Sequence, residues 1–448
     1  MAPSVNSGDR LAGLESFLRS HQIPYYTPSH PAFLSFRATY IRSFESVVPL
    51  CIVRPSSADE VAIIIKHVIV NEIPFTIRAG GHDLFGRCFV TASLAVDLQD
   101  LKSVEISDDR RSAKIGGGVL AGRVAEELGL MGLMTAMGSV PSVGYVGWAT
   151  HGGAGDLVEA DEGMLEVIRG AGGTIGVVVE MTIAVFPLKE VSGIVAFSSV
   201  DMASTVRRFT VAYQAMMKDG IDRALGIQQS IVNTPGGKVF AVGFMWSSDN
   251  MALGREYLER ITSFGEVINN TVKGRSAFDW MTESSSLVPE SAYGTIMTLS
   301  LRSITEEVIE VISHHVSKMP QDPATLISIH QLRNGPALSP AALPSVFVAK
   351  EPHYMVELIA TSSTYEAAEP ARNWAAGCRD ALRKPLPVNL LDSTYISLTS
   401  PTEADPRKIF GWKWKRLLML KARYDPKNVF SNAMPQFTIS LLDGVQQL

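Results

Sequence analysis

The apolar and polar positions of this chain follow two different rhythms, and the change between them divides it. The opening residues predict one helix over about 10–20 and then a Pro-punctuated extended stretch. Arg54-Pro55-Ser56-Ser57-Ala58-Asp59-Glu60-Val61 reads as a helix start, with Ser56 or Ser57 as cap and acids in the first turn. Val61, Ile64, Ile65 and Val68 then recur at helical spacing. Short apolar runs at 74–78, 94–98 and 112–115 predict strands, and 120–128 predicts a helix. These elements are joined by very short connections, so this region reads as α/β. Near Pro187 the pattern changes. From about 191 to 400, strands such as 239–245, 326–332 and 354–360 alternate with helices such as 202–217 and 305–317, which predicts an antiparallel sheet with helices. A helix in 410–430 closes the chain. The expected organisation is a domain over 1–190, a second over 191–400, and a segment over 401–448 returning to the first.

Composition narrows the class. With 46% hydrophobic and 19% charged residues, the 448-residue chain has ample material for a core, which excludes a mainly disordered protein. A net charge of −5 with scattered Lys and Arg argues against a nucleic-acid partner. Three cysteines, Cys51, Cys88 and Cys378, are too few for a disulfide framework, and without a CxxC pair no cysteine zinc site is expected. The opening residues lack a basic start followed by an apolar run, and the most apolar stretch, 61–70, is interrupted by Lys66 and His67 and too short for a bilayer. The expectation is a soluble cytoplasmic protein with no membrane partner and no metal. Asn269-Asn270-Thr271 is a glycosylation sequon without meaning in that setting. No HExxH and no GxSxG occurs, and His314-His315 read as edge residues of an amphipathic helix. Trp280, Trp412 and Trp414, and Met131, Met134 and Met137, read as packing residues.

Glycine carries the chemical signal, because many of the 36 crowd between 79 and 176. Gly116-Gly117-Gly118-Val119-Leu120-Ala121 fits GxGxxA between a strand and a helix, but no acid follows about 20 residues on, so it reads as a tight strand-to-helix turn. Gly80-Gly81-His82, the cluster Gly144 to Gly155, and Arg169 to Gly176 lie in the same α/β region. Consecutive glycines let backbone N–H groups approach phosphate, so three clusters suggest a backbone wrapped around a large phosphorylated ligand. The residues alone leave His82 open as catalytic, covalently modified or structural.

Taken in order, these blocks resemble the berberine-bridge-enzyme-like branch of FAD-linked oxidases, with a vanillyl-alcohol-oxidase-type FAD-binding domain. Arg54 to Val61 is similar to the first block, Arg78-Ala79-Gly80-Gly81-His82-Asp83 with Gly86 to RxGGH, and Val96-Asp97-Leu98 to the next strand. Positions 138–155, 169–187 and Tyr424-Asp425-Pro426-Lys427-Asn428-Val429-Phe430 resemble the later blocks, so the likeness covers nearly the whole chain. The resemblance implies an α+β, two-lobed FAD-binding fold with an antiparallel-sheet substrate domain and the flavin ring between the lobes. It implies FAD bonded covalently through His82. The implied cofactor contacts are Arg78, Ala79, Gly80, Gly81, His82, Asp83 and Gly86; Gly138, Val140, Val143, Gly144, Gly147, Gly152 and Gly153; and Gly176 and Val177. Val140 replaces the cysteine that forms a second flavin bond in many members, so at most one link is expected. Val143 falls at the family's oxygen-gating position, where valine accompanies oxidases.

The implied reaction is oxidation of a small organic metabolite, the implied partners being an alcohol, phenol or amine and molecular oxygen, in secondary metabolism. The expected base is Tyr395, matching the first tyrosine of a YxNY segment whose other members are Ser397 and Leu398 here, or His330 in the strand 326–332. Lys413 and Trp414 replace a further Asn-Tyr pair. Tyr354 and Glu357, three apart, should point to opposite faces of one strand. Only 13 residues separate Gly155 from Arg169, where the family carries a longer insert of about two strands at roughly 5–6 residues each. The alternatives are therefore a flavin-scaffolded non-redox cyclase or an inactive truncated homologue.

Overall fold

The computed structural model describes residues 7–152, 161–286, 289–333, 344–348, 351–384 and 388–444. It divides into two units, one of residues 1–186, 343–348 and 395–448, the other of 187–342 and 349–394. Residues 344–348 and 395–400, expected with the second domain, thus belong to the first. The reason is local: Val346 is fully buried in a first-unit core with Val167, Ile396, Phe410 and Leu417.

In the first unit, strand Cys51–Val53 feeds helix Ala58–Val70, which leads to strand Phe75–Arg78. Ser57, one of the two expected caps, accepts from the Glu60 N–H, and Val61, Ile64 and Val68 are the buried stripe. Strand Leu94–Asp97 lies between the other two and runs parallel to both. Its four residues are all buried, as befits a strand covered on both faces. A separate three-stranded antiparallel sheet joins Val104–Ile106, Ser112–Gly116 and Glu180–Ala184.

Gly118 shows why the glycine run at 116–118 exists. A Cβ there would sit 1.8 Å from the Leu98 carbonyl oxygen, and one on Gly117 would sit 2.2 Å from that of Val178. This run packs backbone against backbone and delivers the chain into helix Ala121–Leu130.

The expected closing helix is broken up: Pro406–Phe410 and the turn Gly411–Lys413 precede helix Trp414–Tyr424. Its buried Lys421 donates at 2.6 Å to the Thr174 carbonyl and at 2.6 Å to Asp425. Asp425 in turn accepts from the N–H groups of Val429 and Phe430. The YDPKNVF block is thus a structural clasp on the third glycine segment.

The second unit is an eight-stranded sheet, antiparallel throughout. Its central run is Gly237–Trp246, Leu225–Thr234, Thr325–Leu332 and His353–Ser362. Helices Met202–Lys218, Glu306–Ser317 and Tyr365–Arg383 share a core with one face, through Phe209, Ile312, Trp374, Phe240, Phe244, Ile327, Ile329, Val356 and Leu358. Residues of opposite parity, including Gln228, Ser328, His330 and Glu357, belong to the other face.

Not every residue read as packing is inside. Trp280 is buried, but Trp412 is 79% exposed and Met131 is 49% exposed. Trp412 lies at a turn between short helices, with the Lys413 ammonium 5.2 Å from its ring, and Met131 is the residue after a helix end.

Candidate active site

Strand Phe75–Arg78 ends at the RxGGH loop, and burial decides what its first residue does. Arg78, expected at the cofactor, is buried and donates to Asp97 at 2.6 Å and to the Ala38 carbonyl at 2.8 Å. Asp97 also accepts from Arg54 at 3.3 Å, and Arg54 grips Asp100 with two bonds of 2.8 and 2.7 Å. Arg78 therefore anchors the loop from within the protein. Ala79 and Gly80 press on Gly144: a Cβ on Gly80 would lie 2.2 Å from the Gly144 nitrogen, and one on Gly144 2.5 Å from the Gly80 nitrogen. Gly81 turns the chain with φ +69°, and Gly86 does so again at +72°. Asp83 closes the loop by accepting from the N–H groups of Phe85 and Arg87 and from Arg87 Nε at 2.5 Å.

His82 emerges from this frame in an unusual state. Its Nε2 is buried and has no hydrogen-bond partner among the described residues. Burial pushes its pKa down to about 4, so it is neutral at physiological pH and holds a lone pair. Tyr40 stacks on the imidazole with centroids 4.1 Å apart and planes within 13°. Cys88, six positions on, is buried and its thiol is pushed up to about 12, chiefly by burial, which removes thiolate reactivity.

The second glycine segment converges on the same loop. Val143 accepts from the Ala121 N–H and Val140 from the Val143 N–H, a turn that presents Gly144 to Gly80. Helix Tyr145–Thr150 follows. Among the described residues, Gly147 and Gly176 have nothing within 4 Å of where a Cβ would stand, and beside Gly138 only the Trp148 indole comes within 4 Å, at 3.6 Å. Val177 follows Gly176, half-buried. Gly152 turns with φ +96°, while Gly153 lies outside the described residues, as does the shortened junction after it. The open flanks of Gly147 and Gly176, with a neutral histidine whose Nε2 has no hydrogen-bond partner among the described residues, fit a bound flavin nucleotide held by backbone contact.

His151, absent from the sequence reading, ends the helix. Its Nδ1 bonds the Gly147 carbonyl at 2.9 Å, and burial pulls its pKa down. Its carbonyl accepts from Ser397 Oγ at 2.9 Å, and Arg87 reaches the Ile396 carbonyl at 3.4 Å. Tyr395 is thereby brought to the glycine loops, in the first unit rather than the second. Its carbonyl closes the turn Ile396–Leu398 by accepting from Thr399 Oγ1 and the Leu398 N–H, and its ring lies 6.3 Å from that of Phe347.

In the second unit, His330 Nε2 meets Glu357 at 3.0 Å and Ser328 Oγ at 3.1 Å. Gln228 Nε2 donates to the same Ser328 Oγ at 2.9 Å. Burial opposes the imidazolium charge, but the Glu357 carboxylate beside it outweighs burial and raises the His330 pKa. Tyr354 instead belongs to the helix-side core, as the three-residue spacing predicts. Nothing in the spacing of Gln228, Ser328 and Glu357 announces this cluster, because it is made by strand pairing. Among the described residues no group of three or more His, Cys, Asp or Glu side chains is placed to hold a metal, and no helix is long and apolar enough to cross a membrane.

Comparison with known proteins agrees with this geometry. Residues 49–172 match the family described as FAD binding domain, and 394–435 match that described as berberine and berberine like. FAD-linked oxidoreductase aurO of Gibberella zeae is 27% identical over 434 residues, spanning 90% of this chain and 84% of the relative. That alignment is longer than the stretch of this 448-residue chain it uses, so the relative carries residues that this chain lacks. The crystal structure of 6-hydroxy-D-nicotine oxidase from Arthrobacter nicotinovorans superposes with TM-score 0.76 at 18% identity, covering 92% of this chain and 97% of that one. Glucooligosaccharide oxidase from Acremonium strictum, whose FAD is described as cysteinyl- and histidyl-linked, gives 0.77 at 15%, covering 93% and 97%. The last two likenesses establish the shared fold.

Proposed function

We propose that this chain, which belongs to the FAD-linked oxidoreductases that pair an FAD-binding domain with a berberine-like segment, is an oxidase of a small organic metabolite with its flavin bonded to His82. The observation that carries this reading is the neutral His82, whose buried Nε2 has no hydrogen-bond partner among the described residues, together with the uncrowded flanks of Gly147 and Gly176. Bound FAD would supply the two-electron acceptor, with molecular oxygen as the final oxidant. Gly147 and Gly176 would admit the cofactor, and the Arg78–Asp97 pair would keep the loop rigid beneath it.

We assign the base to His330. To act as base His330 must be in its neutral form, in which an Nε2–H given to the Glu357 carboxylate would leave Nδ1 to accept a substrate proton. Glu357 also stabilises the imidazolium that results, the role a carboxylate has beside any catalytic histidine. Tyr395 is less suited, because a phenol titrates near 10. The relatives' names point to hydroxynicotine and to a glucooligosaccharide. Both offer a C–H next to nitrogen or oxygen, so an amine or alcohol is the substrate class we propose. A role in secondary metabolism is supported by the fungal relative.

The test is the visible spectrum of purified protein followed by acid precipitation. A flavin spectrum with yellow retained in the pellet is expected, and His82→Ala should move the colour to the supernatant while leaving the fold intact. Colour still bonded in that variant refutes the His82 link. Colourless protein, with flavin supplied during expression, favours the truncated homologue, a reading in keeping with the gaps this chain leaves in its alignment with the Gibberella zeae relative. Substrate turnover without peroxide would favour the non-redox scaffold.

A further inference from the structure

We propose that Tyr40 is a positioning residue for His82: its ring, stacked on the imidazole, fixes the plane in which the histidine meets the cofactor. The proposal rests on the reading that His82 bonds FAD. Three observations point to it. The rings are 4.1 Å apart and within 13° of parallel. The Tyr40 N–H donates to the Gly81 carbonyl at 3.1 Å, which ties Tyr40's backbone to the residue that turns the loop at positive φ. Among the described residues the imidazole Nε2 has no hydrogen-bond partner, so none of them orients that end of the ring by a polar contact.

The consequence is chemical. A histidine attacks well only when a lone pair is aligned with the carbon it bonds, and small misorientations are costly. Rotation about the histidine χ2 torsion is broad and poorly restrained by intrinsic preference. A flat aromatic surface against one face removes that freedom without consuming the lone pair, which a hydrogen-bond donor would do. Tyr40 itself stays a neutral phenol, since burial pushes its pKa up to about 12. In the attachment step an imidazole N–H bond and one C–H bond of the 8α carbon break and a C–N bond forms. The two hydrogens and their electron pair leave to molecular oxygen as hydrogen peroxide.

The experiment measures attachment rather than turnover. Apo-protein is mixed with FAD, and the fraction of flavin retained after acid precipitation is followed with time, alongside the affinity for FAD at zero time. Tyr40→Phe keeps the stacking face and should attach within about twofold of the wild-type rate. Tyr40→Ala should bind FAD comparably yet attach at least tenfold more slowly. Equal attachment rates in Tyr40→Ala and wild type overturn the proposal. So does a loss of FAD affinity that accounts for the slow rate, because Tyr40 would then shape the pocket rather than the histidine. Wild-type protein that releases all its flavin into acid refutes the His82 link itself, an outcome distinct from both.

Discussion

A histidine's use depends on how the fold moves its pKa, and those of His82 and His330 are moved in opposite directions. Burial lowers the His82 pKa to about 4, against an ordinary 6.5, so the folded state resists a proton that the unfolded state accepts. Stability is therefore lost as pH falls from about 6.5 towards 4. In flavin-free protein the His82→Asn variant should lose less over this window, by a difference of order 3 kcal/mol in denaturant titrations. The sign reverses at His330, whose pKa Glu357 raises, so its contribution is present at low pH and fades as pH rises through the folded value. Glu357→Gln removes the partner but not the burial. The expected outcome, read from the histidine proton resonances against pH, is a His330 pKa that drops below the wild-type one. A His330 pKa unmoved by that change would mean that Glu357 does not set the base.

Glycine separates the roles of elements. The run 116–118 and the Gly80–Gly144 contact are closed by backbone atoms, whereas Gly147 and Gly176 face no described residue within 4 Å. Gly118→Ala should prevent folding or destabilise by several kcal/mol, since a Cβ has no room beside the Leu98 carbonyl. Gly147→Ala, inside a helix, should leave the melting temperature unchanged or raise it, by up to about 1 kcal/mol in stability. The same change should weaken FAD binding measurably, and full retention of affinity would show that this flank does not meet the cofactor. The sequence presents all these glycines as similar clusters. What distinguishes them is which backbone atoms, if any, each one faces, and those atoms belong to residues distant in the chain.

For the molecule as a whole, a bonded cofactor changes how stability depends on concentration. A ligand that binds only the folded state raises the melting temperature with its free concentration. Holo wild type should melt at a temperature independent of added FAD. His82→Ala should gain stability with added FAD, by about 2.7 kcal/mol at a hundred times its dissociation constant. A flat response in the variant would show that the first unit does not hold the nucleotide without the bond. The units also divide the chain differently from its order: residues 344–348 return to the first unit from within the second, held by Val346 N–H to Glu166, Phe347 N–H to Arg169 and Lys413 to Ser345. No local pattern in 344–348 marks that return.

What the sequence determined by itself is what local periodicity and short motifs encode: the Ser57-capped helix, the two structural regimes meeting near Pro187, and the ordered glycine blocks with His82 among them. These rest on interactions between near neighbours in the chain, or on backbone freedom that only glycine has. Tertiary structure decided the rest. It turned Arg78 inward to Asp97, laid Tyr40 on His82, moved Tyr395 to the first unit and paired His330 with Glu357. Each depends on contacts between residues distant in sequence, and on burial, which sets the charge state of a side chain and leaves no mark in its letter.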